Sequence, residues 1–142
     1  MNMNIISNKK KYKYNKLEIT KKIGRREKYK MMKKVKITVL KTTKQEDLAE
    51  EYGIENFSTC PLLKEGEIFY ADYAKPEGFC DEAWKAIYQY VFALAHGVDE
   101  NLFYYNDWIR KPGVAIVCCN DGLRPVIFKL EKTDIISEPN KE

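Results

Sequence analysis

The sequence predicts an α+β domain, a small and partly antiparallel sheet covered by one long helix, with a second, short helix. Three observations predict it. Residues 35–41, "VKITVLK", alternate apolar and polar side chains. Residues 80–97, "CDEAWKAIYQYVFALAHG", place apolar side chains at helical spacing. Two closing apolar runs, "VAIVCC" (114–119) and "VIFKLE" (126–131), flank the turn-rich "NDGLRP".

Taken in order, the first strand puts Val35, Ile37 and Val39 on one face and Lys36 and Thr38 on the other, the period of a half-buried strand. "KQEDLAEEYG" (44–53) reads as the short helix, stopped by Gly53. "IENFSTCPLLKEGE" (54–67) is loop, punctuated by Pro61 and Gly66. "EIFYADY" (67–73) is a second strand, and "KPEG" (75–78) fits a type I turn. In the long helix, Asp81 and Glu82 suit the positive N-terminal end and Gly97 supplies the stop. Trp84, Ile87, Tyr88, Val91, Leu94 and Ala95 recur at i, i+3, i+4 and i+7, which predicts one buried stripe. A polar, aromatic loop (98–111) and a "KPG" turn (111–113) lead into the closing pair of strands. The domain is bounded at 32–134, with 135–142 as a frayed tail.

The net charge of +4 suggests a nucleic-acid partner until it is partitioned along the chain. Residues 1–30 carry eleven Lys or Arg against Glu18 and Glu27, whereas the remaining residues are net acidic. The 32–134 body therefore offers no basic face, and no nucleic acid is expected to bind it. Residues 1–31 are read as a basic extension outside the fold, either a disordered arm or translated leader. "GRRE" (24–27) is readily encoded by a purine run containing a ribosome-binding sequence, just upstream of Met31 and Met32. No apolar run is long enough for a membrane span and no signal core opens the chain, so the expected compartment is the cytoplasm and no membrane partner is expected.

Chemistry, if the chain performs any, falls to its four cysteines, since cytosolic thiols are more often free, metal-bound or redox-active than disulfide-paired. Cys118 and Cys119 end a strand, where successive side chains point to opposite faces, so one of them faces inward. A disulfide between neighbours would need a strained ring. Cys80 stands four residues before Trp84, at a helix N-terminus whose unpaired N–H groups favour a thiolate. Cys60 precedes Pro61 in a loop, where ligands can converge. All four thiols thus stand at element ends or in loops. Four thiolates suit Zn or an iron–sulfur cluster, although no CxxC pair is present.

The other candidates are weaker. His96, the only histidine, sits where an imidazole caps the last carbonyls of a helix. Asp121 belongs to the hairpin turn with Asn120 and Gly122, and Arg124 could hold an anion beside the thiols. Asp72, Glu77 and Asp81 have no glycosidase-like spacing, and no phosphate-cradling Gly-rich loop exists.

With "CPLLKEGEIF", "PEGFCDEAW" and "CCNDGLRPVIFKLE" in view, the chain resembles a family of short, uncharacterised bacterial and archaeal proteins. The resemblance covers about residues 32–134, includes all four cysteines and leaves out residues 1–31. Where members carry a His before the Gly-acid strand, this chain has Leu63 and Lys64. It implies a shared site and no particular reaction.

Three expectations follow. The first is a metal site of Cys60, Cys80, Cys118 and Cys119 holding an iron–sulfur cluster or Zn. The second is a thiol-redox or thiol-nucleophile enzyme centred on Cys80. The third is a non-catalytic binding module with structural cysteines, for which a protein partner or a second copy is the natural ligand.

Overall fold

The computed structural model describes residues 32–98, 102–103 and 106–138, all within one compact unit, Met32–Glu142. The expectations for residues 1–31 and for the end of the tail, 139–142, lie outside the described residues. Six elements follow one another: β1 (Lys33–Thr42), α1 (Glu46–Tyr52), β2 (Ile68–Ala71), α2 (Asp81–Ala95), β3 (Val114–Cys118) and β4 (Val126–Ile136). The fold is α+β, and its four-stranded sheet, ordered β2-β1-β4-β3, is antiparallel throughout.

Period-2 patterning decides which face is buried. Val35, Ile37 and Val39 of β1 point the same way as Ala115 and Val117 of β3 and Val126, Phe128 and Leu130 of β4, and all are buried. The helix α2 lies over this face through Ala83, Ile87, Val91, Leu94 and Ala95. Phe79, just before α2, closes one end of the core, its ring centroid 5.0 Å from that of Phe69 and 5.5 Å from that of Phe128. The opposite face of the sheet carries Lys36, Thr38, Ile68, Tyr70, Ile116 and Lys129, and Ile68, Tyr70 and Ile116 are exposed there.

Four details depart from the sequence reading, each for a physical reason. The stripe of α2 is centred on Ile87 and Val91, which leaves Tyr88 38 % exposed and Trp84 half-buried. Trp84, Tyr88, Phe92 and His96 instead form a row of successive ring contacts along the flank of the helix. Gly53 ends α1 without a left-handed conformation, at φ −79. Its role is close approach, because a Cβ there would stand 2.5 Å from the carbonyl oxygen of Ala49. The "KPEG" turn closes one residue later than expected, from the Phe79 N–H to the Pro76 carbonyl at 3.2 Å. Gly78 therefore occupies its third position at φ +75, a type II feature. Finally, where the sequence reading ends the domain at 134, β4 runs on to Ile136 and Ser137 is buried.

Ser137 explains that extension. Its N–H donates to the Met32 carbonyl at 2.8 Å and its hydroxyl donates to the Asp72 carboxylate, so the strand end is fastened to both β1 and the exit of β2. Burial pushes the Asp72 pKa up. The Ser137 hydroxyl, the Ala74 and Tyr73 amides and the Lys34 charge outweigh it and hold the carboxyl below its ordinary range. A depressed carboxylate pKa contributes stability that is present above the unfolded value, about 4, and is lost as pH falls through the folded value. An Asp72→Asn variant is therefore expected to lose stability at neutral pH and to show a flatter acid limb below about pH 4. Urea unfolding midpoints measured from pH 7 to pH 2 check this, and parallel acid limbs would contradict it.

Candidate functional site

The residues that could carry chemistry gather at the end of the sheet where β3 hands over to β4. Along β3 the parity that buries Ala115 and Val117 continues to Cys119, which is half-buried against the core. Cys118 falls on the other parity, opposite Ile127, and is exposed on the open face. The adjacent thiols therefore lie on opposite sides of the sheet. Cys119 keeps the ladder going, its N–H donating to the Val126 carbonyl at 3.1 Å. Its sulfur accepts the Val126 N–H at 3.3 Å.

The turn after it is built by Asp121. One carboxylate oxygen accepts the Leu123 and Arg124 N–H groups at 2.9 and 3.2 Å. The other takes the Arg124 Nε–H at 3.2 Å. Burial works against the Asp121 charge, but these amides and the Arg124 guanidinium hold its pKa below the ordinary carboxylate value. The turn role expected of Asp121 is thus what the geometry supplies. Arg124 pairs with Asp121 and lies over the Phe57 ring at 5.0 Å, so its nearest partners are structural.

Two other segments meet this turn. Asn120 Nδ2 donates to the Glu82 carbonyl at 3.2 Å, which fastens the hairpin tip to the first turn of α2. Cys80 is the N-cap residue of that helix, half-buried against the same core, and its thiol makes no capping hydrogen bond. The 54–67 loop arrives through Phe57 beneath Arg124, and leaves through Gly66 N–H to the Val39 carbonyl at 2.8 Å. Between these fixed points lie buried Leu63 and half-buried Cys60, the third thiol packed on the core. Cys60, Cys80 and Cys119 thus each pack against the one hydrophobic core, and Cys118 does not. Among the described residues no group of three or more His, Cys, Asp or Glu side chains is arranged to hold a metal ion.

The remaining candidates lie elsewhere. His96 ends α2 with Nδ1 2.7 Å from the Phe92 carbonyl and its ring stacked on Phe92. It stands a helix length from Cys80, about 24 Å at 1.5 Å per residue, so the two cannot form a nucleophile–base pair. Asp81 is paired with Lys75 at 3.0 Å and Asp72 with Ser137. A cleft of about 460 Å³ beside α1, lined in part by Lys44, Glu46, Ala49, Ile54 and Phe57, contains no cysteine. Sequence reasoning missed Asn120 and Phe57 as the residues that knit the site together. Asn120 carries only a turn signal in sequence, and its partner is 38 positions away.

No protein-family model, curated protein or solved structure matches the chain. Among the described residues no helix is long and apolar enough to cross a membrane.

Proposed function

We infer that this chain is a small thiol protein in which Cys80 and Cys119 act as a reversible dithiol–disulfide couple. The observation that carries the reading is the Asn120–Glu82 hydrogen bond, which ties the residue after Cys119 to the helix turn opened by Cys80. Both thiols are half-buried and free of disulfide bonds. Oxidation joins the two Sγ atoms. The two thiol hydrogens, with two electrons, pass to a disulfide oxidant such as oxidised glutathione, which leaves as two thiols.

The expected result is that oxidised glutathione converts the reduced protein to a species lighter by two hydrogens. Peptide mapping should place the bond between Cys80 and Cys119, with Cys118 carrying at most a glutathione adduct. Adducts on Cys80 and Cys119 without the internal bond would overturn the reading. A second reading rests on Cys60, the third half-buried thiol packed on the core, which would complete a soft-metal set for Zn or an iron–sulfur cluster. Zinc, iron and sulfide analysis of anaerobically purified protein separates the two. If Cys80→Ser and Cys119→Ser alter stability alone, the thiols are packing residues and the chain is a binding module.

A further inference from the structure

β3 is an edge strand of unusual composition. Its one ladder partner among the described residues is β4, and its residues, Val-Ala-Ile-Val-Cys, include no charge, proline or glycine. Exposed edges in folded proteins are normally blunted by charge, proline or a bulge, because their free N–H and C=O groups template pairing with another strand. Which groups are free follows from the ladder. Cys119 N–H bonds Val126 and the Gly113 carbonyl accepts from Lys132, so the odd-numbered residues between them face β4. Val114, Ile116 and Cys118 therefore turn their backbone groups to the outside. Parity assigns all three to the face opposite the core, where Ile116 is 43 % exposed and Cys118 is exposed, while Val114 is buried.

We propose that β3 pairs antiparallel with β3 of a second copy of this chain, about a two-fold axis through Ile116, extending the sheet across a dimer. In that register Ile116 faces Ile116 of the second copy, and Val114 faces Cys118. All three pairs are of the hydrogen-bonded type, so the free donors and acceptors of both edges are satisfied together. The exposed Ile116 and Cys118 side chains of the two strands then lie side by side on the open face. Charge at the strand ends fits the same axis. Exposed Lys111 precedes β3 and Asp121 follows it, and the two-fold operation brings Lys111 of one copy to Asp121 of the other. Arg124 already holds one side of Asp121, so Lys111 joins an existing pair. The opposite edge, β2, is disfavoured on the same ground. Glu65 and Glu67 precede it and Asp72 follows, so a two-fold pairing there would set acid against acid.

The test uses the full-length protein under reducing conditions and sedimentation at increasing concentration. The wild type is expected to sediment with the mass of two chains. Ile116→Lys and Ile116→Glu should each sediment as one chain, since every substituted side chain faces its own copy. Far-UV circular dichroism should show both still folded, because residue 116 lies on the open face. An equimolar mixture of the two variants should recover the two-chain species, with an apparent affinity at least about tenfold above that of either alone. A wild type that stays single at millimolar concentration would overturn the proposal. So would variants that still self-associate, or a mixture that stays single. Should either substitution at 116 unfold the chain, Lys111→Glu, which lies outside the strand, is expected to weaken the dimer severalfold, and an unchanged dimer there would count against the register.

Discussion

Replacing Phe128 by Ala is expected to cost roughly 3–5 kcal/mol of folding stability. Phe128 is fully buried near the start of β4, between Val39 of β1 and Val117 of β3, and touches the ring of Phe79, the residue that closes the core beneath the start of α2. Its neighbours come from strands on both sides and from the helix, so the site cannot collapse around the lost ring by moving one element. A loss of that size is a large part of the 5–15 kcal/mol that separates a typical folded domain from its unfolded chain. Urea denaturation of the Phe128→Ala variant measures it. A change below about 1 kcal/mol would mean that the described core is wrong, since no solvated position could be confused with this one.

The second large effect belongs to Asp121. Asp121→Ala removes the acceptor of two backbone N–H groups and the partner of Arg124 in one step. The expected cost is about 1–3 kcal/mol. The loss should also be local, because the turn sets the position of Asn120, and Asn120 sets the distance between the hairpin and α2. Alkylation of Cys119 is therefore expected to accelerate in this variant more than that of Cys118, which is already exposed. Equal acceleration of both thiols would point to global loosening and away from a hinge at the turn. Asp121→Asn keeps one acceptor oxygen and should lie between the variant and the wild type.

Much of this architecture was legible in the residues because two periods do not overlap. The alternation of Val35, Ile37 and Val39 admits a strand and excludes a helix, and the run from Asp81 to Ala95 does the reverse. Gly97, at φ +91, stops the helix where a side chain would be strained. What stayed hidden has one common cause, namely a partner far away in sequence. Residues 132–136 lack alternation, and they remain in β4 because β1 pairs them and because Ser137 finds Asp72. Tyr88 satisfies helical spacing as well as Ile87 does, and the sheet alone decides that Ile87 is covered.

The cysteine pair was half legible. Alternation requires that Cys118 and Cys119 part company, and the buried parity of Ala115 and Val117 assigns Cys119 to the core side. The grouping of Cys119 with Cys80 and Cys60 was not readable at the level of contacts. It depends on Asn120 reaching a backbone carbonyl of α2 and on Phe57 lying beneath Arg124.

The strand order has a consequence for how the protein is made. The two inner strands are β1 and β4, the first and the last of the sheet, and Ile37 is laid against Leu130 across nearly the whole domain. A nascent chain emerging from the ribosome displays β1 early, yet the strand that covers its inner edge arrives after every other element. Until then that edge of β1 has no strand to take its N–H and C=O groups, and the loop that must close is about as long as the domain itself. Such non-local pairing slows folding and lengthens the exposure of sticky intermediates. Lys34 and Lys36, on the other face of β1, keep the first half of that waiting strand hydrated while synthesis catches up.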